Sequence, residues 1–129
     1  MRLKYLLLLC VLLLALSGCG GSGILSPFTG TWDGTWAQTS PSDNGTAGFI
    51  VLPSGSLSGS MHDNNANVDY TISGTINDAG FVTATITPSG GSGQSMTGTL
   101  AFNGSNQLLG NLTVSGGSLN TLSFLMNPQ

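Results

Sequence analysis

Beyond Lys4 the chain contains no lysine or arginine, and it contains no glutamate anywhere. Its acidic residues are Asp33, Asp43, Asp63, Asp69 and Asp78, and His62 is its one imidazole. Without side-chain cations to meet phosphate oxygens, nucleic acid is excluded as an expected partner. An anionic membrane surface cannot be held by charge either. A nucleophilic triad would have to use His62, whose neighbour Asp63 projects to the opposite side of a strand, and no Gly-x-Ser-x-Gly elbow leads into a helix. A paired-carboxylate hydrolase needs two acids converging on one bond, whereas these five aspartates fall mostly in turns or on outward positions. The expectation is a protein that is not an enzyme and carries no cofactor, with His62 an exposed residue at a strand end. Only a cleft shared by His62 and an aspartate other than Asp63 would restore catalysis as a reading.

Long apolar runs are also scarce, and the single one lies at the start. Met1-Arg2-Leu3-Lys4 precedes an apolar segment over residues 5–16, the layout of a secretory signal. A membrane-spanning helix needs roughly 20 apolar residues, more than this segment supplies. The segment ends in Leu16-Ser17-Gly18-Cys19, which resembles the lipobox of bacterial lipoproteins. The resemblance implies cleavage between Gly18 and Cys19, a diacylglycerol on the Cys19 sulfur and acylation of the new amino group. Each buried methylene contributes about 0.8 kcal/mol, so two or three acyl chains together anchor stably where one holds only reversibly. Gly20 stands where the family's inner-membrane retention signal places aspartate, which favours the outer membrane in an organism that has one.

Gly20-Gly21-Ser22-Gly23 reads as a flexible tether. With Cys10 removed in the signal and Cys19 lipidated, no disulfide is available despite export, so stability must come from a core. The expected organisation is a helical signal peptide over 1–18, a lipidated cysteine and tether over 19–27, and one all-β domain over 28–129. About 110 residues suits a single domain.

Within that domain apolar and polar residues alternate between regularly spaced turns, and no stretch shows a useful helical period. Eight strands are expected: 28–38, 45–52, 56–62, 68–76, 81–87, 96–102, 108–114 and 119–126. Between them stand Ser42-Asp43-Asn44-Gly45, Pro53-Ser54-Gly55, a polar loop over 63–67, Asn77-Asp78-Ala79-Gly80, a Gly/Ser-rich loop over 88–94, Asn103-Gly104-Ser105-Asn106 and Ser115-Gly116-Gly117-Ser118. Such Asn-Gly, Asp-x-Gly and Pro-x-Gly punctuation marks hairpins. Gly30, Gly34, Gly59, Gly74, Gly98 and Gly110 recur on the parity assigned to the interior, where glycine weakens a strand unless coiling demands it. The expected fold is an eight-stranded antiparallel up-and-down meander closed into a barrel, with a β-sandwich as the alternative. Closure removes edges that this lysine-free domain could not protect. Apolar residues inside and polar residues outside are the reverse of a membrane-spanning barrel.

Gly30-Thr31-Trp32, then Phe49-Ile50-Val51, then Leu57-Ser58-Gly59-Ser60-Met61 look like the opening three strands of avidin-type barrels, and the Gly-x-Trp start is similar to that of lipocalins. The resemblance implies a barrel. It does not imply biotin binding, since avidins carry a ligand-contacting tyrosine where this chain has Met61 and since the later tryptophans of their pocket are missing.

Two further constellations are candidates for binding. Asp63, Asn65, Asn67 and Asp69 place oxygen-bearing side chains at alternate positions, which could converge on calcium. The pattern departs from the EF-hand, with Val68 at the turn-glycine position and Gly74 at the bidentate-glutamate position, and a hydrated Asn/Asp loop is the plainer reading. Trp32 and Trp36, with Tyr70, would form a stacking platform for sugar rings if they faced water, but they share the parity of Phe28 and belong to the core. The sequence thus predicts a lipid-anchored cell-envelope protein with a structural or interaction role. The alternative is a binding module, holding a small apolar ligand in the barrel or a glycan on exposed aromatics. An interior cavity of roughly 300 Å³ or more would favour the binder.

Overall fold

The computed structural model describes residues 25–129, so the signal segment, Cys19 and the Gly/Ser tether expected from sequence lie outside the described residues. Eight strands follow one another: β1 Gly30–Thr39, β2 Ser42–Val51, β3 Ser56–Asp63, β4 Val68–Ile76, β5 Phe81–Pro88, β6 Gln94–Phe102, β7 Leu108–Val114 and β8 Thr121–Pro128. Each pairs antiparallel with its sequence neighbours, and β1 pairs with β8 from Trp32–Pro128 to Ala37–Ser123. That last pairing closes the barrel and excludes the sandwich. Following register partners once around, from Gly30 through Val51, Leu57, Gly74, Ala84, Met96 and Val114, returns to β1 about ten residues further on, the stagger that tilted strands need for closure.

The barrel has two distinct ends. Its lower end carries residues 25–29, the turns at 52–55, 77–80 and 103–107, and the C-terminal Gln129; its upper end carries Ser40-Pro41 and the loops at 64–67, 89–93 and 115–120. Ser26, expected in the tether, belongs to the fold. It is buried, its N–H donates to the Pro53 carbonyl at 2.9 Å, and its own carbonyl accepts from Thr29.

Strand boundaries follow the alternation closely, with one displaced turn. Ser42-Asp43-Asn44-Gly45 is strand, and the chain reverses within Ser40-Pro41, whose peptide is cis. Proline has no N–H to give a ladder, so it occupies the reversal. Asp43 and Asn44 gain cross-strand partners instead, accepting from the side chains of Asn65 and Asn64.

The interior is one hydrophobic core drawing on all eight strands, with Trp32, Trp36, Phe49, Ile72, Leu100 and Phe124 among its large members. Glycines make room for them. Gly59 stands between Phe49 and Ile72, Gly74 between Leu57 and Ala84, and Gly110 between Leu100 and Phe124, so bulk on one strand faces a gap on the next. The neighbouring backbones approach so closely that a Cβ at Gly34 would strike the Leu125 carbonyl and one at Gly74 the Thr83 carbonyl. Close approach across the seams is thus the geometric reason for glycine at 34, 59, 74, 98 and 110, whereas Gly30 at the strand start has room beside it. Gly74→Ala should force β4 and β5 apart and cost about 1–3 kcal/mol, in the range of overpacked cores. Urea unfolding followed by tryptophan fluorescence reads the loss directly, and an unchanged midpoint would mean that the strands separate freely.

Candidate functional site

A ligand chamber inside the barrel is the first place to look, and the core fills it. Val82, Ile86, Met96, Leu112, Leu122 and Met126 are each 0% exposed, which leaves no water-sized void against them. Both mouths are closed as well. At the lower end Phe28 stacks on Phe102 with ring centroids 5.2 Å apart, and Trp32 Nε1 donates to the Phe28 carbonyl at 2.9 Å. At the upper end the buried Gln38 side chain donates to the Ser118 carbonyl and accepts from the Asn120 N–H, while Leu119 is buried beneath that loop.

The aromatic residues considered as a sugar platform lie inside. Trp32, Trp36 and Tyr70 are 4%, 1% and 7% exposed, so none offers a ring face to solvent. Trp36 Nε1 reaches across β2 to the His62 carbonyl at 3.1 Å. It passes over Gly45, where a Cβ would lie 2.7 Å from that nitrogen. Burial pushes the Tyr70 phenol above its ordinary value, the carboxylates of Asp63 and then Asp43 push it further, and a hydrogen bond with the Ser118 side chain opposes them.

Tyr5 belongs to the expected signal, so Tyr70 would be the only tyrosine of the mature chain and its titration can be read alone. A raised folded-state value means that the native chain binds the proton more tightly than the unfolded one. The resulting stabilisation is complete below about pH 10 and is lost as pH rises through the folded value. Phenolate absorbance should therefore appear later in native than in denatured protein, and Tyr70→Phe should flatten the alkaline loss of stability. Coincident titration curves for native and denatured protein would mean that neither burial nor the two carboxylates perturbs the phenol.

The candidate cation loop does not converge. Asp63 points inward and is 2% exposed, with one carboxylate oxygen accepting the N–H groups of Asn65 and Ala66 at 2.8 Å each. Asp69 stands on the outer face, Asn65 donates to Asp43, and Asn67 takes a left-handed backbone conformation. Asp63 thus orders the β3–β4 turn as an Asx-type cap. Among the described residues no group of three or more metal-ligating His, Cys, Asp or Glu side chains is assembled.

The concave surface lies outside, across β1–β4. An open groove of about 600 Å³ runs over the sheet there, continuous through Asp33, Gly48 and Ser60 with a second hollow of about 450 Å³. Gly48 creates the dip. It is an outward position of β2 with no side chain, flanked in register by Asp33 of β1 and Ser60 of β3, and a Cβ there would stand 3.0 Å from the Asp33 carboxylate. Thr46, His62, Asp69 and Thr71 extend the lining towards the upper end. His62 Nδ1 lies 2.7 Å from Asp69 Oδ1, with side chains 38% and 76% exposed.

The condition for a catalytic reading is therefore met, since His62 and Asp69 share a cleft. What surrounds the pair is less suited to chemistry. β2 and β3 are ladder-paired on both sides throughout the groove, which commits their N–H groups and leaves no backbone donors for an oxyanion. The arrangement instead presents a row of hydroxyls, two carboxylates and an imidazole, all able to exchange hydrogen bonds with a partner.

Sequence reasoning missed Asp69 as the partner of His62. The signal was nonetheless there: with a four-residue turn over 64–67, positions 62 and 69 fall opposite each other on one face. No family model matches the chain, no curated protein matches it, and no solved structure matches its fold.

Proposed function

We propose that this chain is a lipid-anchored protein of the cell envelope whose role is structural or adhesive, with the outer groove of β1–β4 as its contact surface. The observation that carries this reading is the filled interior. With six core side chains fully excluded from solvent and both mouths plugged, recognition falls to the outside. An apolar ligand has no chamber to enter, and the Tyr70 and Phe49 rings along the groove are buried, so a sugar has no exposed phenol, phenyl or indole face there to stack upon. The anchor rests on Leu16-Ser17-Gly18-Cys19, and export with attachment to the outer membrane, where one exists, follows from the same residues.

A hydrolytic role is the second reading, carried by the His62–Asp69 pair beside Ser60. The lack of free backbone donors weighs against it.

Native mass spectrometry of the mature domain, recovered from its own envelope with Cys19→Ser behind a cleavable signal, tests the choice between partner and ligand. The expected result is the bare domain mass, or a mass that includes a protein partner lost on Asp33→Ala with His62→Ala. A tightly held small apolar molecule, released only on denaturation, would overturn the packed-barrel reading.

A further inference from the structure

The outer surface of the barrel is divided between its two ends. In the upper half every outward strand position is Thr, Ser, Asn, His or Asp, with Ala37 the one exception. The lower half differs. Ile50, Leu52, Phe81, Phe102, Leu109 and Leu125 are its large exposed hydrophobics, between 38% and 51% exposed, and Leu25 at 67% leads into the same end. Ile50, Phe81, Leu109 and Leu125 lie on the outer faces of β2, β5, β7 and β8, Leu52 follows β2, and Phe102 ends β6 on the inward parity, partly exposed at the mouth it helps to close, so apolar side chains stand on five of the eight strands at this end.

A ring of this kind is an apolar surface that soluble proteins seldom leave uncovered. Its shape is informative. Residues arrayed around one mouth of a barrel can all touch a single plane lying across that mouth, whereas a side-by-side neighbour would meet only two or three of them. The chain itself says which plane. Cys19 is six residues from Leu25, and six fully extended residues reach at most about 20 Å, so a lipidated Cys19 keeps the lower end the part of the barrel nearest the bilayer. Charge does not contribute. Beyond Lys4 there is no lysine or arginine, His62 stands towards the other end, and Asp78 sits in a turn of the same end, so contact must be apolar.

We infer that the domain stands on its lower rim upon the membrane, with the belt formed by Ile50, Phe81, Phe102 and Leu109 seated at the boundary of headgroups and acyl chains. This deepens the reading of the chain as a lipid-anchored protein and rests on it. The barrel axis then rises from the bilayer, the Ser40-Pro41 turn and the 64–67, 89–93 and 115–120 loops face away from it, and the His62–Asp69 part of the groove is held clear of lipid. Interfacial seating of this depth, about 5–10 Å, is what an apolar rim without cations achieves once an acyl anchor removes the cost of association.

The test uses two positions on one strand face. Leu109 and Thr113 both point outward on β7, about 13 Å apart at the usual rise per residue. With Cys19 acylated and Cys10 removed, Leu109→Cys or Thr113→Cys provides the single free thiol for a fluorophore. The acylated protein is reconstituted in vesicles of phosphatidylcholine and phosphatidylethanolamine whose acyl chains carry bromine. The label at position 109 should be quenched about twofold or more over the label at 113, and iodide in the aqueous phase should show the reverse order, as a seating depth of about 5–10 Å requires. A second label at Phe81→Cys should behave like that at 109.

Equal quenching at 109 and 113 in a protein whose acyl mass is verified would overturn the orientation while leaving the anchor standing. Absence of acyl mass on Cys19 would overturn the anchor and the orientation with it. The Cys19→Ser chain provides the remaining arm: a vesicle-free dimer that shields position 109 from iodide would assign the belt to a second copy of the chain and overturn the bilayer contact.

Discussion

Trp36→Ala should lower the stability of the domain by about 3–5 kcal/mol, the range for truncating a large aromatic in a core that cannot collapse around the gap. Two independent losses combine at this position. The indole is 1% exposed and is flanked in register by Gly45 and Phe124, so no neighbouring side chain on β2 can move in to replace it. Its Nε1 also donates to the His62 carbonyl across β2, a second bond to an oxygen that already sits in the β2–β3 ladder, and a hydrogen bond of this kind contributes about 0.5–1.5 kcal/mol. For a domain of about 100 residues, each kcal/mol moves Tm by about 4–8 °C, so the midpoint should fall by on the order of 20 °C. Thermal unfolding followed by circular dichroism measures this, with outward-facing Thr35→Ala as the comparison that should stay within about 0.5 kcal/mol. A Trp36→Ala loss below about 1 kcal/mol would mean that the barrel relaxes around the gap and that its interior is loosely packed. Gly45→Ala probes the same contact from the other side. Its Cβ would strike both the His62 carbonyl and the indole nitrogen, so the two substitutions should be less than additive when combined, because one of the two clashes disappears with the indole.

Cys19→Ala should move the protein from the membrane fraction to the soluble fraction completely, since nothing else in the mature chain can hold it there as firmly. The apolar rim is shallow, and the chain beyond Lys4 has no cation to add electrostatic attraction. An acyl chain of fourteen to sixteen carbons contributes about 0.8 kcal/mol for each buried methylene, more than a ring of half-exposed side chains can supply. Mass spectrometry of the wild-type chain should show the diacylglycerol addition on Cys19 and cleavage after Gly18, and the variant should lack both. Wild-type protein that is soluble and unacylated would remove the lipoprotein reading, and with it the export and outer-membrane expectations, without touching the barrel.

Much of the fold is legible in sequence because its signal is local. Period-two alternation marks a strand wherever it occurs, and the interior parity at Trp32, Trp36, Tyr70, Ile72 and Leu100 can be read from that alone. The first hairpin is the exception. Asn44-Gly45 has the composition of a turn, but the chain reverses at Ser40-Pro41, where the missing proline N–H interrupts no ladder bond. Asp63, expected in a hydrated loop, is instead buried, because its carboxylate caps the turn it begins. A short-range pattern does not show whether an acidic residue at a strand end turns in or out when its own backbone offers the hydrogen bonds.

The candidate site is less legible for a related reason. In sequence His62 stands beside Asp63, which lies on the other face, whereas its partner Asp69 comes from the next strand. The groove depends on Gly48 falling between Asp33 and Ser60, a coincidence of three strands that no single segment displays.

The sequence by itself therefore determined the number of strands, the interior parity of most of their residues and the absence of lysine and arginine after Lys4. Tertiary structure decided for the barrel over the sandwich by pairing β1 with β8, and it alone decided that His62 finds Asp69 and that exposed hydrophobics gather at the lower end. Alternation is a property of one strand, readable residue by residue. Neighbours across a sheet are set by register, which depends on every turn and on the closure of the whole barrel.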